Sequence, residues 1–271
     1  MVEALSGTEP PVLVHREGPV VHVTLNRPAR RNAIGGGMGE ALDQILARLR
    51  GDATARIVVL RGAGGHFCAG LDLTEVAQGG TPEERLSAQQ ARNRQIGQRF
   101  QAISALPQVV IAAVEGAAHA GGLGFVCCAD LAFASADARF AAPEARRGLV
   151  PAQILPWMAR RMARPNVTRM VLEGGVIDAA LAQRWGLVQE IGVDRAGLDA
   201  LVAASVALIL EGAPGALAET KALLAALGPL SPEGYAEAGA ASFGRTASGP
   251  EATEGIAAFR EKRKPNWSAL S

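Results

Sequence analysis

Residues 61–73 read RGAGGHFCAGLDL, and residues 115–128 read EGAAHAGGLGFVCC. Each glycine-rich stretch directly follows an apolar run of strand length, RIVVL at residues 56–60 and VVIAAV at residues 109–114. Such continuous runs are typical of parallel strands that are buried on both faces. Glycines just before a helix let free backbone N–H groups point outward at its N-terminus, where the dipole favours negative charge. Two such turns on neighbouring strands are expected to direct two N–H donors at one oxygen atom.

The rest of the pattern predicts a strand-rich front and a helical end. Residues 12–15 and 20–25 are predicted strands around the turn at Glu17-Gly18. Apolar residues at helical spacing predict helices over residues 39–50 and within 81–106, the second with few apolar anchors at its front. Residues 131–134 and 138–140 predict two strands joined by a turn. From about Asp199 the chain is rich in alanine and leucine, which favours helices. We therefore expect a core domain over residues 1–198 and a helical region over residues 199–271.

Composition excludes several classes of protein. The 271 residues are 49% apolar and 20% charged, so a folded chain with a sizeable core is expected. The 27 basic and 26 acidic side chains leave a net charge of +1, which gives no basic excess for binding nucleic acid. No apolar run approaches the roughly 20 residues that cross a bilayer, and the first residues lack the pattern of a signal peptide. A cytoplasmic protein without a membrane partner is the expectation.

Cysteine and histidine usage predicts no metal site. The three cysteines include the adjacent pair Cys127 and Cys128, and they show neither a disulfide framework nor the CxxC spacing of zinc ligands. The four histidines are scattered along the chain. His66 and His119 lie in the two glycine-rich turns, where either can face a pocket or serve the structure. Asp72 and Asp130 are expected to brace turns by accepting local N–H groups.

A dinucleotide-binding site is an alternative interpretation of the second glycine-rich turn. Residues 122–127, GLGFVC, begin like the GxGxxG fingerprint, and Glu144 lies about where a ribose-binding acid would follow. The third small residue is missing, however, and Gly122 lies well beyond the end of the apolar run at Val114. These two departures disfavour the dinucleotide reading.

Six segments in series resemble the enoyl-CoA hydratase/isomerase family, also called the crotonases. They run in order from Leu25 to Trp267: LNRPARRNAI, HFCAGLDL, AAHAGGLGFVCCAD, FAAPEARRGLVP, DAALAQRWGLVQEI and AFREKRKPNW. The resemblance implies an α/β fold, a crotonase-type spiral of ββα turns with a C-terminal helical trimerisation region. It also implies a homotrimer, or a hexamer formed by two trimers.

The resemblance further implies chemistry on an acyl-CoA thioester, whose oxygen is held by two backbone N–H groups while an enolate forms. Matched motif to motif, the donors are Leu71 and Gly121, and Glu144 is the catalytic carboxylate. Hydratases of the best-known type have a second glutamate at the position of Gly124, which has no side chain to move a proton. Coenzyme A enters as part of the substrate, so no separate cofactor is implied.

Binding residues for the acyl-CoA substrate are also implied by the resemblance. Ala69, Leu71 and Leu73 are expected near the adenine and pantetheine, with Arg27 and Arg30 near the phosphates and Gly122 in the second turn. Gln153 is expected in the acyl pocket, where it holds a water or a polar acyl group. The C-terminal residues expected to close over coenzyme A, from the same or a neighbouring subunit, are Phe243, Phe259 and Lys262.

The leading hypothesis is an enoyl-CoA hydratase that adds water to a 2-enoyl-CoA. The alternative within enzymes is an enoyl-CoA isomerase that uses Glu144 as its single proton shuttle. A non-catalytic homologue that only binds acyl-CoA is a third hypothesis, favoured by Gly124 and opposed by Glu144 and the two donor turns. A serine hydrolase is disfavoured, since no Ser/His/Asp set lies on matching turns.

Overall fold

A six-stranded sheet forms the centre of the computed structural model, which describes residues 9–72, 81–227 and 250–267. Its strand order is β1-β2-β3-β4-β6-β9, and a separate three-stranded sheet has the order β5-β7-β8. The strands are β1 (Val12–Glu17), β2 (Val20–Leu25), β3 (Ile57–Gly62), β4 (Val109–Val114), β5 (Ala117–His119), β6 (Leu131–Ser135), β7 (Arg139–Ala141), β8 (Val176–Asp178) and β9 (Glu190–Gly192).

Helices surround these sheets. Within the described ranges they are α1 (Met38–Arg50), α2 (Pro82–Ser104), α3 (Gly121–Cys128), α4 (Leu155–Arg161), α5 (Arg164–Glu173), α6 (Ala179–Arg184), α7 (Arg195–Glu211), α8 (Pro214–Ala226) and α9 (Pro250–Glu261). Short 3-10 helices span Pro28–Arg30 and Glu144–Arg147. Among the described residues no single helix has the length and apolar character to cross a bilayer; α7 and α8 meet that test only as a pair, bent by 107°.

The central sheet is buried on both faces, as the apolar runs predicted. β1 and β2 form an antiparallel hairpin, and β2, β3, β4, β6 and β9 are parallel neighbours. Successive side chains of a strand point to opposite faces, so Val58 and Val110 join the larger core cluster, whereas Val59 and Ile111 join a second cluster. All six residues of β4 are buried. The parallel arrangement and the hairpin at Glu17-Gly18 are confirmed.

Helix α7 covers the second face of the sheet. Leu198 and Val202 belong to the same cluster as Val59 and Ile111. The expected boundary between residues 198 and 199 falls inside this helix, and Val202, beyond the boundary, still packs against the core. The division into two regions stays a prediction, but α7 itself belongs with the sheet.

The chain passes from the central sheet into the small sheet twice, between β4 and β5 and between β6 and β7. Residues 131–134 and 138–140 do form strands, but β6 pairs with β4 in the central sheet while β7 pairs with β5 and β8 in the small one. The small sheet therefore places the end of β5, which leads into α3, beside the end of β7, which leads to Glu144.

Candidate active site

Asn32 supports the first glycine-rich turn. Its side chain is fully buried, and its amide nitrogen donates to the carbonyls of Ala63 at 2.9 Å and His66 at 2.7 Å. Its amide oxygen accepts from the Arg27 N–H at 2.8 Å. The residue has a positive φ of 55°, which asparagine tolerates better than most residues. Sequence reasoning did not assign this role, although a polar residue inside LNRPARRNAI was an available signal.

The backbone at Leu71 leaves one N–H group uncommitted. The Ile34 N–H donates to Gly70 O at 2.7 Å, and the Asp72 N–H donates to Ile34 O at 3.0 Å. In this parallel bridge between Ile34 and Leu71, the N–H of Leu71 points away from Ile34. Within the described residues it has no hydrogen-bond acceptor.

The second turn leaves another N–H group free at the start of α3. The Cys68 N–H donates to Ala117 O at 2.8 Å and the His119 N–H donates to Cys68 O at 2.9 Å, which attaches β5 to the first turn. Ala120 then adopts φ 49° and ψ −118°, an unfavourable conformation for a residue with a Cβ. Helix α3 begins at Gly121, whose N–H is among the first four that a helix cannot use. No acceptor for it lies within the described residues.

The two turns touch each other at Gly70. This residue has a φ of +91°, and a Cβ added to it would lie 2.8 Å from Ala120 Cβ, 2.9 Å from His119 O and 3.4 Å from Gly121 N. Only glycine permits both this conformation and this approach. The N–H groups of Leu71 and Gly121 therefore belong to turns in direct contact, next to one another at the start of a helix.

Glu144 lies beside the second turn. The Ala120 N–H donates to Ala141 O at 2.9 Å, and Glu144 begins the 3-10 helix that follows β7. The Glu144 side chain is half-buried, and its Oε2 is buried without a hydrogen-bond partner among the described residues. Burial raises the pKa of this carboxyl, and a backbone hydrogen bond and the charge of Arg147 only partly oppose the rise. A raised pKa makes a carboxyl group a better proton acceptor than an exposed glutamate, as an acid/base catalyst requires.

The position of the second glutamate of well-known hydratases is filled by a neighbouring ring. A Cβ on Gly124 would lie 2.8 Å from Cε1 and from Cε2 of Phe100, and closer still to its Cζ. Phe100 is fully buried in α2 and packs edge-on against Phe125, with ring centroids 5.6 Å apart. A longer side chain at position 124 is therefore excluded unless Phe100 moves. The sequence indicated the missing carboxylate but not the ring that takes its place.

The two histidines of the turns have different surroundings. His66 Nδ1 accepts from the Ala117 N–H at 3.2 Å, so this ring serves the structure. His119 Nε2 is buried without a partner among the described residues. Burial lowers the pKa of His119, and the charges of Arg147 and Arg31 lower it further, so the ring is neutral at pH 7.

Arg27 does not point freely into solvent. Its guanidinium lies 3.3 Å from the Asp72 carboxylate and donates to Ala33 O at 2.8 Å. The Asp72 carboxylate thus faces a cation, and the Asp72 main-chain N–H donates to Ile34 O. Acceptance of local N–H groups by this carboxylate stays a prediction. Asp130 accepts from the Val110 N–H at 2.7 Å and pairs with Lys221 at 2.6 Å, which is a structural role.

The other predicted binding residues lie in or near the two glycine-rich turns and near the C-terminus. The Ala69 N–H donates to Arg31 O at 2.9 Å, Arg30 is exposed, and Gly122 packs closely on Cys68. Lys262 is exposed just after α9. Leu73 and Phe243 lie outside the described residues, as does the side chain of Phe259. Their contacts with coenzyme A stay predictions.

Gln153 lies against helix α2. Its Nε2 donates to Asn93 Oδ1 at 2.8 Å, and a Cβ on Gly97 would lie 2.8 Å from its Cδ. Helix α2 thus contributes three residues that sequence reasoning did not assign to this region: Asn93, Gly97 and Phe100. Nothing in the spacing of the sequence pairs Asn93 with Gln153, 60 residues further on.

Metal-ligating groups are sparse in the part of the chain that is described. No cluster of three or more His, Cys, Asp or Glu side chains there can hold a metal ion. The three cysteines are buried and reduced, and burial raises the pKa of Cys68 and of Cys127 to about 12. Their thiols are therefore protonated at neutral pH.

Known proteins resemble this chain over two thirds or more of its length. The sequence profile of the enoyl-CoA hydratase/isomerase family matches residues 15–269. A carnitinyl-CoA dehydratase of Proteus mirabilis is 32% identical over 257 residues, which are 92% of this chain and 95% of that protein. A probable enoyl-CoA hydratase of Mycobacterium tuberculosis, EchA14, is 37% identical over 186 residues, 68% of this chain and 70% of that one.

Solved structures share the fold. AtuE of Pseudomonas aeruginosa is 37% identical with a TM-score of 0.90, covering 96% of this chain and all of that chain. An enoyl-CoA hydratase/isomerase of Marinobacter aquaeolei is 36% identical with a TM-score of 0.88, covering 95% and 99% of the two chains. The profile match, these identities and the described topology lead to one conclusion: the chain belongs to the enoyl-CoA hydratase/isomerase family and has its crotonase-type α/β fold.

Proposed function

We propose that this protein hydrates a 2-enoyl-CoA, with the thioester oxygen held by the N–H groups of Leu71 and Gly121 and with Glu144 as the acid/base. The observation that supports the proposal is the contact between the two turns at Gly70, together with the lack of an acceptor for the N–H groups of Leu71 and Gly121 among the described residues. The buried, unpartnered Oε2 of Glu144 on the adjoining turn adds the proton carrier. The names of the relatives, enoyl-CoA hydratase and carnitinyl-CoA dehydratase, favour water addition or removal.

The two N–H groups stabilise charge that develops on the thioester oxygen. When water adds to the β-carbon, electron density moves to this oxygen and an enolate forms. Loss of one donor of this type typically costs about 2.7–4 kcal/mol of transition-state stabilisation. Because Gly121 starts α3, the positive end of the helix dipole adds to the same field. The side chain of Leu71 is not needed for this role, since its main chain supplies the donor.

Glu144 completes the reaction alone in this scheme. Its carboxylate accepts a proton from the attacking water while the water oxygen bonds to the β-carbon. The protonated carboxyl then gives that proton to the α-carbon, and the enolate returns to a thioester. The sum is one water added to one double bond. A second carboxylate has no room, since Phe100 fills the space beside Gly124.

A second candidate function follows from the same steric feature. A single carboxylate is sufficient to move a proton between the α- and γ-carbons, which converts a 3-enoyl-CoA into a 2-enoyl-CoA without water. The space filled by Phe100 favours this enoyl-CoA isomerase over a two-carboxylate hydratase. Both candidates use the same donors and the same glutamate.

The absorbance of the conjugated thioester separates the candidates. Hydration of a 2-enoyl-CoA removes the absorbance, whereas isomerisation of a 3-enoyl-CoA creates it. Glu144→Gln is expected to lower kcat roughly 10²–10⁴-fold for either reaction while acyl-CoA binding is retained. Glu190→Gln, at an exposed position in β9, is the matched control and should keep full activity. Tight acyl-CoA binding without turnover of either substrate class would instead support a non-catalytic homologue.

The assembly and the cellular context remain part of the proposal. By family resemblance we expect a homotrimer or a dimer of trimers, in the cytoplasm, with coenzyme A entering only as part of the substrate. Lys262, Phe243 and Phe259 are proposed to close over the coenzyme A moiety. Analytical ultracentrifugation of the purified protein would establish the oligomeric state.

A further inference from the structure

Ile34 contacts both glycine-rich turns. In the main chain, its N–H donates to Gly70 O at 2.7 Å and its carbonyl accepts from the Asp72 N–H at 3.0 Å. Its side chain is buried in the larger core cluster. A Cβ added to Gly121 would lie 2.9 Å from Ile34 Cδ1, so this methyl group lies within roughly 4.5 Å of the Gly121 Cα, in van der Waals contact. One residue therefore touches the turn of Leu71 and the turn of Gly121.

The main chain of Ile34 fixes the direction of the Leu71 N–H. Gly70 O and the Leu71 N–H belong to one planar trans peptide unit, so they point in opposite directions. Because the Ile34 N–H holds Gly70 O, the Leu71 N–H is directed away from Ile34. The bond from the Asp72 N–H to Ile34 O fixes the next peptide unit in the same way. The hydrogen bond on Gly70 O also polarises its peptide unit and strengthens the N–H as a donor.

The side chain of Ile34 fixes the position of Gly121. The start of α3 packs against the first turn at Gly70, where an added Cβ would lie 3.4 Å from Gly121 N. Ile34 Cδ1 fills the space beside the Gly121 Cα, where only a residue without a Cβ leaves room for it. Protein interiors are close-packed, so a methyl group at this contact holds its two neighbours at a set distance. Without it, the start of α3 is free to shift relative to the first turn.

We infer that Ile34 is a positioning residue for the reaction, which sets the direction of the Leu71 N–H through its main chain and the position of the Gly121 N–H through Cδ1. The inference rests on the proposed function, because it takes these two N–H groups as the donors to the thioester oxygen. Such donors stabilise the transition state only when each lies about 2.7–3.1 Å from the developing oxyanion. Ile34 therefore acts on the rate through the geometry of the two donors.

Ile34→Val tests the inference, because it removes Cδ1 and keeps the main-chain hydrogen bonds. We expect kcat to fall on the order of tenfold, since small displacements near a reacting centre are costly. KM should stay within about twofold, because the donors act mainly on the transition state. Ile57→Val is the matched control, since Ile57 is fully buried at the start of β3 in the cluster on the other face of the sheet. Both variants should lower Tm by about 2–4 °C, and equal kcat values in the two variants would overturn the inference.

The absorbance of a bound conjugated thioester reports the donor geometry without turnover. The probe is 3-phenyl-2-propenoyl-CoA at saturation, bound to the Glu144→Gln variant so that it does not react. Hydrogen bonds to its thioester oxygen draw electron density along the conjugated chain and move the absorbance to longer wavelength. Adding Ile34→Val to this variant should reduce the shift by at least about half, whereas adding Ile57→Val should leave it unchanged. A full shift with Ile34→Val would overturn the inference alone, and the absence of any shift with Glu144→Gln by itself would contradict the proposed function.

Discussion

Gly70→Ala is the most direct test of the two-donor arrangement. The new Cβ would lie 2.8 Å from Ala120 Cβ and 2.9 Å from His119 O. Carbon atoms in proteins normally approach to about 3.5–4.0 Å, so the two turns have to separate by about 1 Å. The residue would also have to keep a φ of +91°, which is unfavourable for alanine.

The separation acts on the N–H groups of Leu71 and Gly121, because these follow the two residues that collide. A displacement of about 1 Å near a reacting centre can cost about 10²-fold in rate. Complete loss of one donor costs roughly 10²–10³-fold. We therefore expect kcat to fall by about 10²–10³-fold, or roughly 2.7–4 kcal/mol. The free energy of unfolding is expected to fall by about 1–3 kcal/mol from backbone strain.

Steady-state kinetics on a 2-enoyl-CoA and on a 3-enoyl-CoA, together with urea unfolding, measure both effects. Gly18→Ala is the matched control. Gly18 also has a positive φ, +55°, but nothing lies within 4 Å of its added Cβ. This variant should lose about 1–2 kcal/mol of stability and no activity. If Gly70→Ala keeps full kcat at a temperature where it is folded, the two N–H groups do not act together on the substrate.

Three further predictions follow from the buried groups of the site. Burial raises the pKa of Glu144, so the folded state keeps its proton at pH values where the unfolded chain has lost it, and stability falls as pH rises through this range. Glu144→Gln should therefore raise Tm at pH 7, and the gain should vanish at a pH below the ordinary range of glutamate; an equal gain at both pH values would contradict this. Gly124→Ala should lower the free energy of unfolding by about 1–3 kcal/mol in denaturant titrations, because the new methyl group overpacks on Phe100. Adding Phe100→Leu to this variant should recover part of the lost free energy. Asn32→Asp removes the N–H groups that donate to Ala63 O and His66 O, so the free energy of unfolding should fall by about 1–3 kcal/mol. We expect kcat to fall as well, because this amide supports the first turn. Unchanged thermal melts and kinetics would show that the first turn holds its shape without this amide.

Most strands and both glycine-rich turns could be predicted from the sequence, because each depends on a pattern of neighbouring residues. An apolar run such as residues 109–114 suits a strand buried on both faces wherever its neighbours lie, and β4 occupies these six residues. The helix predicted over residues 39–50 agrees with α1 to one residue at its start, since apolar spacing alone indicates a helical face. The short strands β5, β8 and β9 have three residues each and too little sequence for a periodic signal.

Contacts between residues that are distant in sequence could not be predicted from the sequence. The contact of the Arg27 guanidinium with Asp72, 45 residues further on, is one example. The expected approach of Arg27 to the phosphates stays a prediction. The association of β7 with β5, rather than with β6, likewise depends on long-range pairing. A local pattern does not contain such pairings, because they result from the way in which separate segments pack.

Residue type and spacing alone predicted the buried strands and the two glycine-rich turns. The resemblance to the enoyl-CoA hydratase/isomerase family added the fold class, the expectation that Glu144 is the carboxylate and the lack of a second one at Gly124. The tertiary structure alone decided that Gly70 lies against Ala120 and Gly121, that Phe100 occupies the space at Gly124, and that Asn93 meets Gln153. The physical reason is that each of these depends on close contact between segments distant in sequence, and such contact exists only once the core has packed.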